Sequence, residues 1–311
     1  MKHSVQITLL LLFLFVLAQI NGLFVLERYI DISESAATGT TVVNDEEYGR
    51  SNISAPVVEN QSLSFVYVLF ALLFGTILIL LIIKYKQKKI WKSWFFLSVL
   101  VTLIISLNPW IFFFLGSLFS SFFIYICTVI FSCILAYYKV FRQHVIIHNI
   151  TEVFIYAGLA ALLVPILNIV SMIIILLAVA AYDMYAVWKS KHMIAMAQFQ
   201  TEQKVFAGLY IPYQSSEKGV QTQKKSRQKS VSSEKVTSAL LGGGDIAFPL
   251  LFSGVVMKTT GTLVAPLLIT FTTTTALAIL FYYGEKGKFY PAIPFIAVGC
   301  FVGYGLFLLL P

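Results

Sequence analysis

Charge is what this 311-residue chain has least of: Asp, Glu, Lys and Arg together make up 12% of it. Soluble domains carry roughly 25%, so with 59% hydrophobic residues and a mean hydropathy of +0.86 a soluble globular domain is excluded and a polytopic membrane protein is expected. Cysteine is nearly as scarce. Cys127, Cys133 and Cys300 are odd in number and lie in apolar segments, which gives neither a disulfide framework nor a zinc spacing and points to buried apolar thiols. No nucleophile elbow and no convincing set of metal ligands is present, so neither metal nor cofactor is expected. The net charge of +8 could mark a nucleic-acid partner, but the basic residues sit in short loops between apolar runs. That is how membrane orientation is written, and no nucleic acid is expected.

What the chain has instead is apolar runs, and they divide into nine spans. The first, about Val5 to Leu26, stays apolar for about 20 residues and suits a retained helix better than a cleaved signal peptide. Residues 27–61 form an acidic loop with two glycosylation sequons, Asn52-Ile53-Ser54 and Asn60-Gln61-Ser62, as befits an external segment. The second span, 63–83, ends on a basic stop from Lys84 to Lys89. Residues 94–138 are too long for one helix and hold two, broken at Asn108-Pro109 or at Gly116-Ser117. The fifth (146–164) and sixth (169–188) meet at a tight connection, Pro165 to Asn168. Residues 189–237 are the one long hydrophilic connection, a flexible cytoplasmic linker. Residues 238–311 carry spans seven to nine, at 238–257, 261–283 and 289–310. With the N-terminus inside, 19 of the 22 basic residues fall on the inner side, leaving only Arg28, Arg50 and Lys258 outside. A missed helix would invert everything after it, so the expected topology is all-α with nine transmembrane helices, N-terminus inside and C-terminus outside.

Two aspartates sit within this apolar sequence. A charged side chain in lipid costs at least about 2.5 kcal/mol, so each is a functional candidate by default. Asp183 precedes the inner end of span six by about five residues, or roughly 8 Å, and Asp245 follows the inner end of span seven by about seven, or roughly 10 Å. Their carboxylates are thus expected at one depth. If they meet, they share a proton, and one can deprotonate a water while the other protonates a scissile carbonyl. Before Asp245 stand Gly242, Gly243 and Gly244, each costing a helix about 1 kcal/mol relative to Ala, which loosens the backbone for a substrate to approach. Pro291 and Pro294 flank Ala292 and Ile293 at the start of span nine. They favour either an extended segment able to pair with a peptide or a simple helix start.

At these residues the chain resembles the GxGD family of intramembrane aspartyl proteases, the presenilins and signal peptide peptidases. Tyr182-Asp183 is similar to the family's YD motif, Gly242-x-Gly244-Asp245 to GxGD, and Pro291-Ala292-Ile293-Pro294 to its PAL motif, with Ile293 where Leu is usual. The resemblance implies that Asp183 and Asp245 are the catalytic pair and that the proline motif positions substrate, with Tyr182 beside the site. The orientation looks like that of presenilins, and the short linker is similar to the compact archaeal homologues. The function implied is an intramembrane endopeptidase of the cell membrane, cutting transmembrane peptides in the bilayer, with no obligatory partner subunit and a homo-oligomer admissible. The rival is an ion- or proton-coupled transporter using the same aspartates as a relay; the chain shows no inverted repeat or pair of broken helices in its favour.

Three other clusters read as structural. His144, His148 and Glu152 share a helix face, and satisfied polar groups at a helix entrance outweigh a metal site there. Trp91 with Trp94 and Tyr137 with Tyr138 suit interfacial belts.

Overall fold

The computed structural model describes residues 5–53, 61–85, 87–142, 144–190, 206–214, 236–285 and 290–310. Among them are α1 (Val5–Tyr29), the short α2 (Ile32–Thr38) and α3 (Asp45–Arg50), α4 (Ser64–Lys84), α5 (Lys88–Leu115), α6 (Ser121–Tyr137), α7 (Val145–Leu163) and α8 (Ile169–Tyr185). Strands β1 (Gly208–Gln214) and β2 (Val236–Gly242) follow, then α9 (Gly243–Thr260), α10 (Val264–Tyr283) and α11 (Ile293–Leu308). Nine helices therefore coincide with the nine apolar runs, and seven of them are long and apolar enough to cross a membrane. The other two, α9 with 18 residues and α11 with 16, hold the glycine and proline motifs.

One boundary falls at the second of its two expected places, and another differs from expectation. The break between spans three and four falls at Gly116, and Pro109 lies inside α5. The new helix begins where Ser120 accepts from the Phe123 N–H, a cap that Asn108-Pro109 does not supply. Span seven is helical only from Gly243, because Val236–Gly242 is extended and pairs antiparallel with Gly208–Gln214. The ends of the 189–237 segment are thus strands, while its Gln-, Ser- and Lys-rich middle, 215–235, lies outside the described residues, as does Asn60 of the second sequon.

The core forms around α9, whose residues from Pro249 to Lys258 are all buried. A helix apolar on every side has to be surrounded, and α1, α7, α8, α10 and α11 all pack against it. Polar groups of α1 help to seat it: the Gln19 amide donates to the Ile246 carbonyl at 2.9 Å and the Asn21 amide to the Val153 carbonyl at 3.1 Å. Helix α4 is the exception, with only 6% of its apolar stretch buried, so what surrounds it must itself be apolar.

The two ends of α9, Gly243 and Thr260, mark two ends of the bundle. At one end α2 and α3 are plugged into the bundle. The Tyr48 hydroxyl donates to the Ala161 carbonyl at 2.6 Å, and the Tyr29 hydroxyl to the Ile105 carbonyl at 2.8 Å. Lys258, counted from the sequence as a loop charge, is buried there, donating to Thr41 Oγ1 at 2.5 Å and to the carbonyls of Val164 and Pro165 at 2.9 and 3.4 Å. Those carbonyls lie in the tight turn Val164–Ile166 after α7, where Val164 also accepts from the Leu167 N–H and Pro165 from the Gln61 amide. Of the expected aromatic belt, Trp94 and Tyr138 are exposed but Trp91 packs inward beside Ile82.

Candidate active site

The opposite end gathers the residues singled out in the sequence. Asp183 lies two residues before the end of α8, which continues as a wider turn through Ala186–Ser190. Its side chain is buried, and its Oδ2 accepts from the Ile293 N–H at 3.3 Å, with the Ala292 N–H also acting on it. Its other oxygen, Oδ1, is buried with no hydrogen-bond partner among the described residues. A buried carboxylate oxygen in that condition is expensive and calls for an explanation.

Asp245 is half-buried in the first turn of α9. A strand rather than a helix precedes it, so the expected helical depth of roughly 10 Å shrinks to about 3 Å from the helix start. The position gains from the dipole: unpaired N–H groups of a first turn favour a negative charge. Pro249, four residues on, has no N–H to give the Asp245 carbonyl, so the helix is locally weakened at the acid.

The three glycines play unequal parts. Gly242 caps α9 in an extended conformation, and a Cβ there would come within 3.2 Å of Asp245 Oδ2. A Cβ on Gly243 would lie 2.9 Å from the Tyr156 hydroxyl. Gly244 is roomier, with Ile293 Cδ1 3.7 Å from its Cβ position. Ile293 therefore lies near both acids' surroundings, bonding Asp183 through its backbone and setting its Cδ1 on the open side of Gly244, the residue before Asp245. Helices α8, α9 and α11 pack against one another in pairs, so the two acids sit on neighbouring elements.

The proline motif meets the helix-start reading, with Ala292 as the N-cap of α11 in a helical conformation. Pro294 is in the first turn of α11, where a missing N–H costs nothing. Pro291 and Ala292 precede the helix in irregular backbone, and that is what presents N–H groups to Asp183. Tyr182 turns the other way, being 43% exposed with its hydroxyl bonded to Thr76 of α4. It ties α4 to α8 rather than reaching toward the acids.

Beside Asp245 lies a cluster the sequence reading missed. Lys139, treated as an inner-loop charge, is buried in the wide turn after α6, where its ammonium pairs with the Glu152 carboxylate. The Tyr156 hydroxyl donates to the same carboxylate, and Asp245 acts electrostatically on that hydroxyl. His148 bridges outward, its Nε2 donating to the Gly208 carbonyl at 2.8 Å with Nδ1 3.2 Å from the Lys139 ammonium. Of the four-residue series, His148 and Glu152 are thus satisfied polar groups, while His144 stands at the helix entrance with no side-chain cap bond. No cluster of potential metal ligands occurs among the described residues. The three cysteines are free thiols, Cys300 buried and the other two partly so.

Comparison with known proteins gives the family and the fold. The family profile described as "Signal-peptide peptidase, presenilin aspartyl protease" matches residues 41–310. Two solved structures share the fold. One, a presenilin family intramembrane aspartate protease in space group C222, is 15% identical with a TM-score of 0.58, covering 96% of this chain and 97% of its own. The other, a presenilin family intramembrane aspartate protease in space group P2, is 14% identical with a TM-score of 0.59, covering 95% of each chain. No curated protein sequence matches the chain.

Proposed function

Since the chain belongs to the signal-peptide peptidase and presenilin family of aspartyl proteases, we propose that it is an intramembrane endopeptidase whose catalytic pair is Asp183 and Asp245. It is an integral multipass membrane protein. In this reading its nine long helices all span the bilayer, with the N-terminus and the β1–β2 hairpin on the cytoplasmic side. The supporting observation is the place of Ile293: it donates its N–H to Asp183, and its Cδ1 lies 3.7 Å from where a Cβ of Gly244, beside Asp245, would stand.

The chemistry follows from two carboxylates sharing one proton. The ionised member takes a proton from a water, that water attacks the scissile carbonyl, and the protonated member donates to the carbonyl oxygen. Collapse of the tetrahedral intermediate releases the amine half with the proton the first acid collected. The peptide bond must be unwound first, because a helical substrate keeps its backbone bonded to itself. Pro291, Ala292 and the glycine turn around Gly242, Gly243 and Gly244 provide irregular or extended backbone next to the acids. The outer edge of β2, which runs directly into Gly242, is suited to receive the unwound peptide by strand pairing.

The test is the purified protein reconstituted in lipid vesicles with a single-span peptide, its fragments identified by mass spectrometry. Cleavage is expected from the wild type and from neither Asp183→Ala nor Asp245→Ala. Solute flux without fragments would establish the transporter instead.

A further inference from the structure

The β1–β2 hairpin has two outer edges, and the structure treats them differently. On β1 the Tyr210 N–H donates to Asn149 Oδ1 at 2.9 Å, and the Tyr210 carbonyl accepts from Asn149 Nδ2 at 2.8 Å. Both backbone groups of Tyr210 therefore point away from β2, and by the alternation of an antiparallel pair those of Gly208 and Pro212 do too. The Gly208 carbonyl is taken by His148, and Pro212 has no N–H to offer. Three successive outward positions on β1 are thus closed, two by side chains of α7 and one by its own ring.

On β2 the residue opposite Tyr210 is Leu240, and opposite Pro212 is Ser238. Their backbone groups face outward on the far side of the hairpin, and those of Leu240 meet no partner among the described residues. Closing one edge of a sheet with side-chain hydrogen bonds and proline is how proteins stop a strand from templating the wrong neighbour. Here it is applied to the strand remote from Asp245, while the strand leading into Gly242 and Asp245 is left able to pair.

We propose that Asn149, His148 and Pro212 are positioning residues that close the outer edge of β1, so that an incoming peptide pairs only on β2 and enters alongside Asp245. This rests on the protease reading above. It adds a reason for the buried Lys139–Glu152 pair, which holds His148 in place: Lys139 lies at Nδ1, leaving Nε2 to donate to Gly208. With β1 open, a peptide could pair one strand too far from the acid and remain uncut.

Non-productive pairing has a kinetic signature that a loosened hairpin does not. It lowers kcat and KM by the same factor and leaves kcat/KM unchanged, whereas a displaced active site lowers kcat/KM. In the vesicle assay, Asn149→Ala/Pro212→Ala should lower kcat and KM together, by about twofold if the two edges then compete on equal terms. Asn149→Gln, which keeps both an acceptor for the Tyr210 N–H and a donor for its carbonyl, should stay close to wild type. The proposal fails if the double variant keeps both wild-type constants, or if kcat/KM falls with no drop in KM. Should the double variant not fold, Asn149→Ala alone is read by the same two criteria. A wild type that cuts nothing sinks the protease reading itself, and is distinguishable from all of these.

Discussion

Glu152→Leu is expected to be among the most damaging single changes remote from the acids. In the structure the Lys139 and Glu152 side chains are 1% and 2% exposed, so neither charge is shared with water. Removing the carboxylate strands an ammonium beside the Phe95 ring, 5.9 Å from its centroid, and His148, and leaves the Tyr156 hydroxyl without its acceptor. Breaking a buried pair from one side costs about 3–5 kcal/mol. Set against a total stability of about 5–15 kcal/mol, the loss is roughly a third of it. The double change Lys139→Met/Glu152→Leu removes both charges and keeps the volume, and replacement by apolar groups is often neutral. Denaturant unfolding in mixed micelles, followed by circular dichroism for the wild type, both single variants and the double, closes the thermodynamic cycle. A coupling of about 2–3 kcal/mol is expected, with the double variant more stable than Glu152→Leu. If Glu152→Leu unfolds within about 1 kcal/mol of wild type, or the double is no better than the single, the pair is not a buried ion pair.

Gly243→Ala would place a methyl 2.9 Å from the Tyr156 hydroxyl, which is held by Glu152 and cannot retreat freely, so peptide cleavage should fall by about tenfold or more while Gly244→Ala is tolerated better. Lys258→Met should cost about 1–2 kcal/mol in the same unfolding assay, because Thr41 Oγ1 and the carbonyls of Val164 and Pro165 lose a shared buried donor while the carbonyls keep the Leu167 N–H and the Gln61 amide. Glu47, in α3 outside the spans, has its carboxyl held above the ordinary range by burial, with the Arg50 pair and the Asn108 amide pulling the other way. A raised folded-state value means that its stabilising contribution is full below the ordinary value of 4.5 and is lost as pH climbs through the raised one. The unfolding midpoint of wild type minus that of Glu47→Gln should therefore decline as pH rises from 4 to 7, and a rising difference would contradict the assignment.

The positions of the helices could be read from the chain because their cause is local. A bilayer demands about 20 apolar residues per span, and each of the nine runs holds a helix, the seventh only from Gly243. The two acids were legible for the same reason: a carboxylate has no local excuse for standing in an apolar run. The hairpin was not. Val236 to Leu241 continues into the apolar run that follows, and a short apolar stretch does not reveal by period whether it is strand or helix. Gly208 to Tyr213 carries aromatic and branched residues inside a polar segment, a signal that was available, but its partner lies more than twenty residues away.

From the chain alone come the membrane class, the order of the helices and the identity of the acids, since each depends on which residues are present and how far apart they stand. Which strand edge is closed, that Lys139 and Lys258 are interior rather than loop cations, and that Ile293 lies near both acid-bearing turns were decided in three dimensions. A hydrogen bond or an ion pair depends on where distant segments of chain are brought side by side, and spacing along the sequence carries no record of that until the helices have packed.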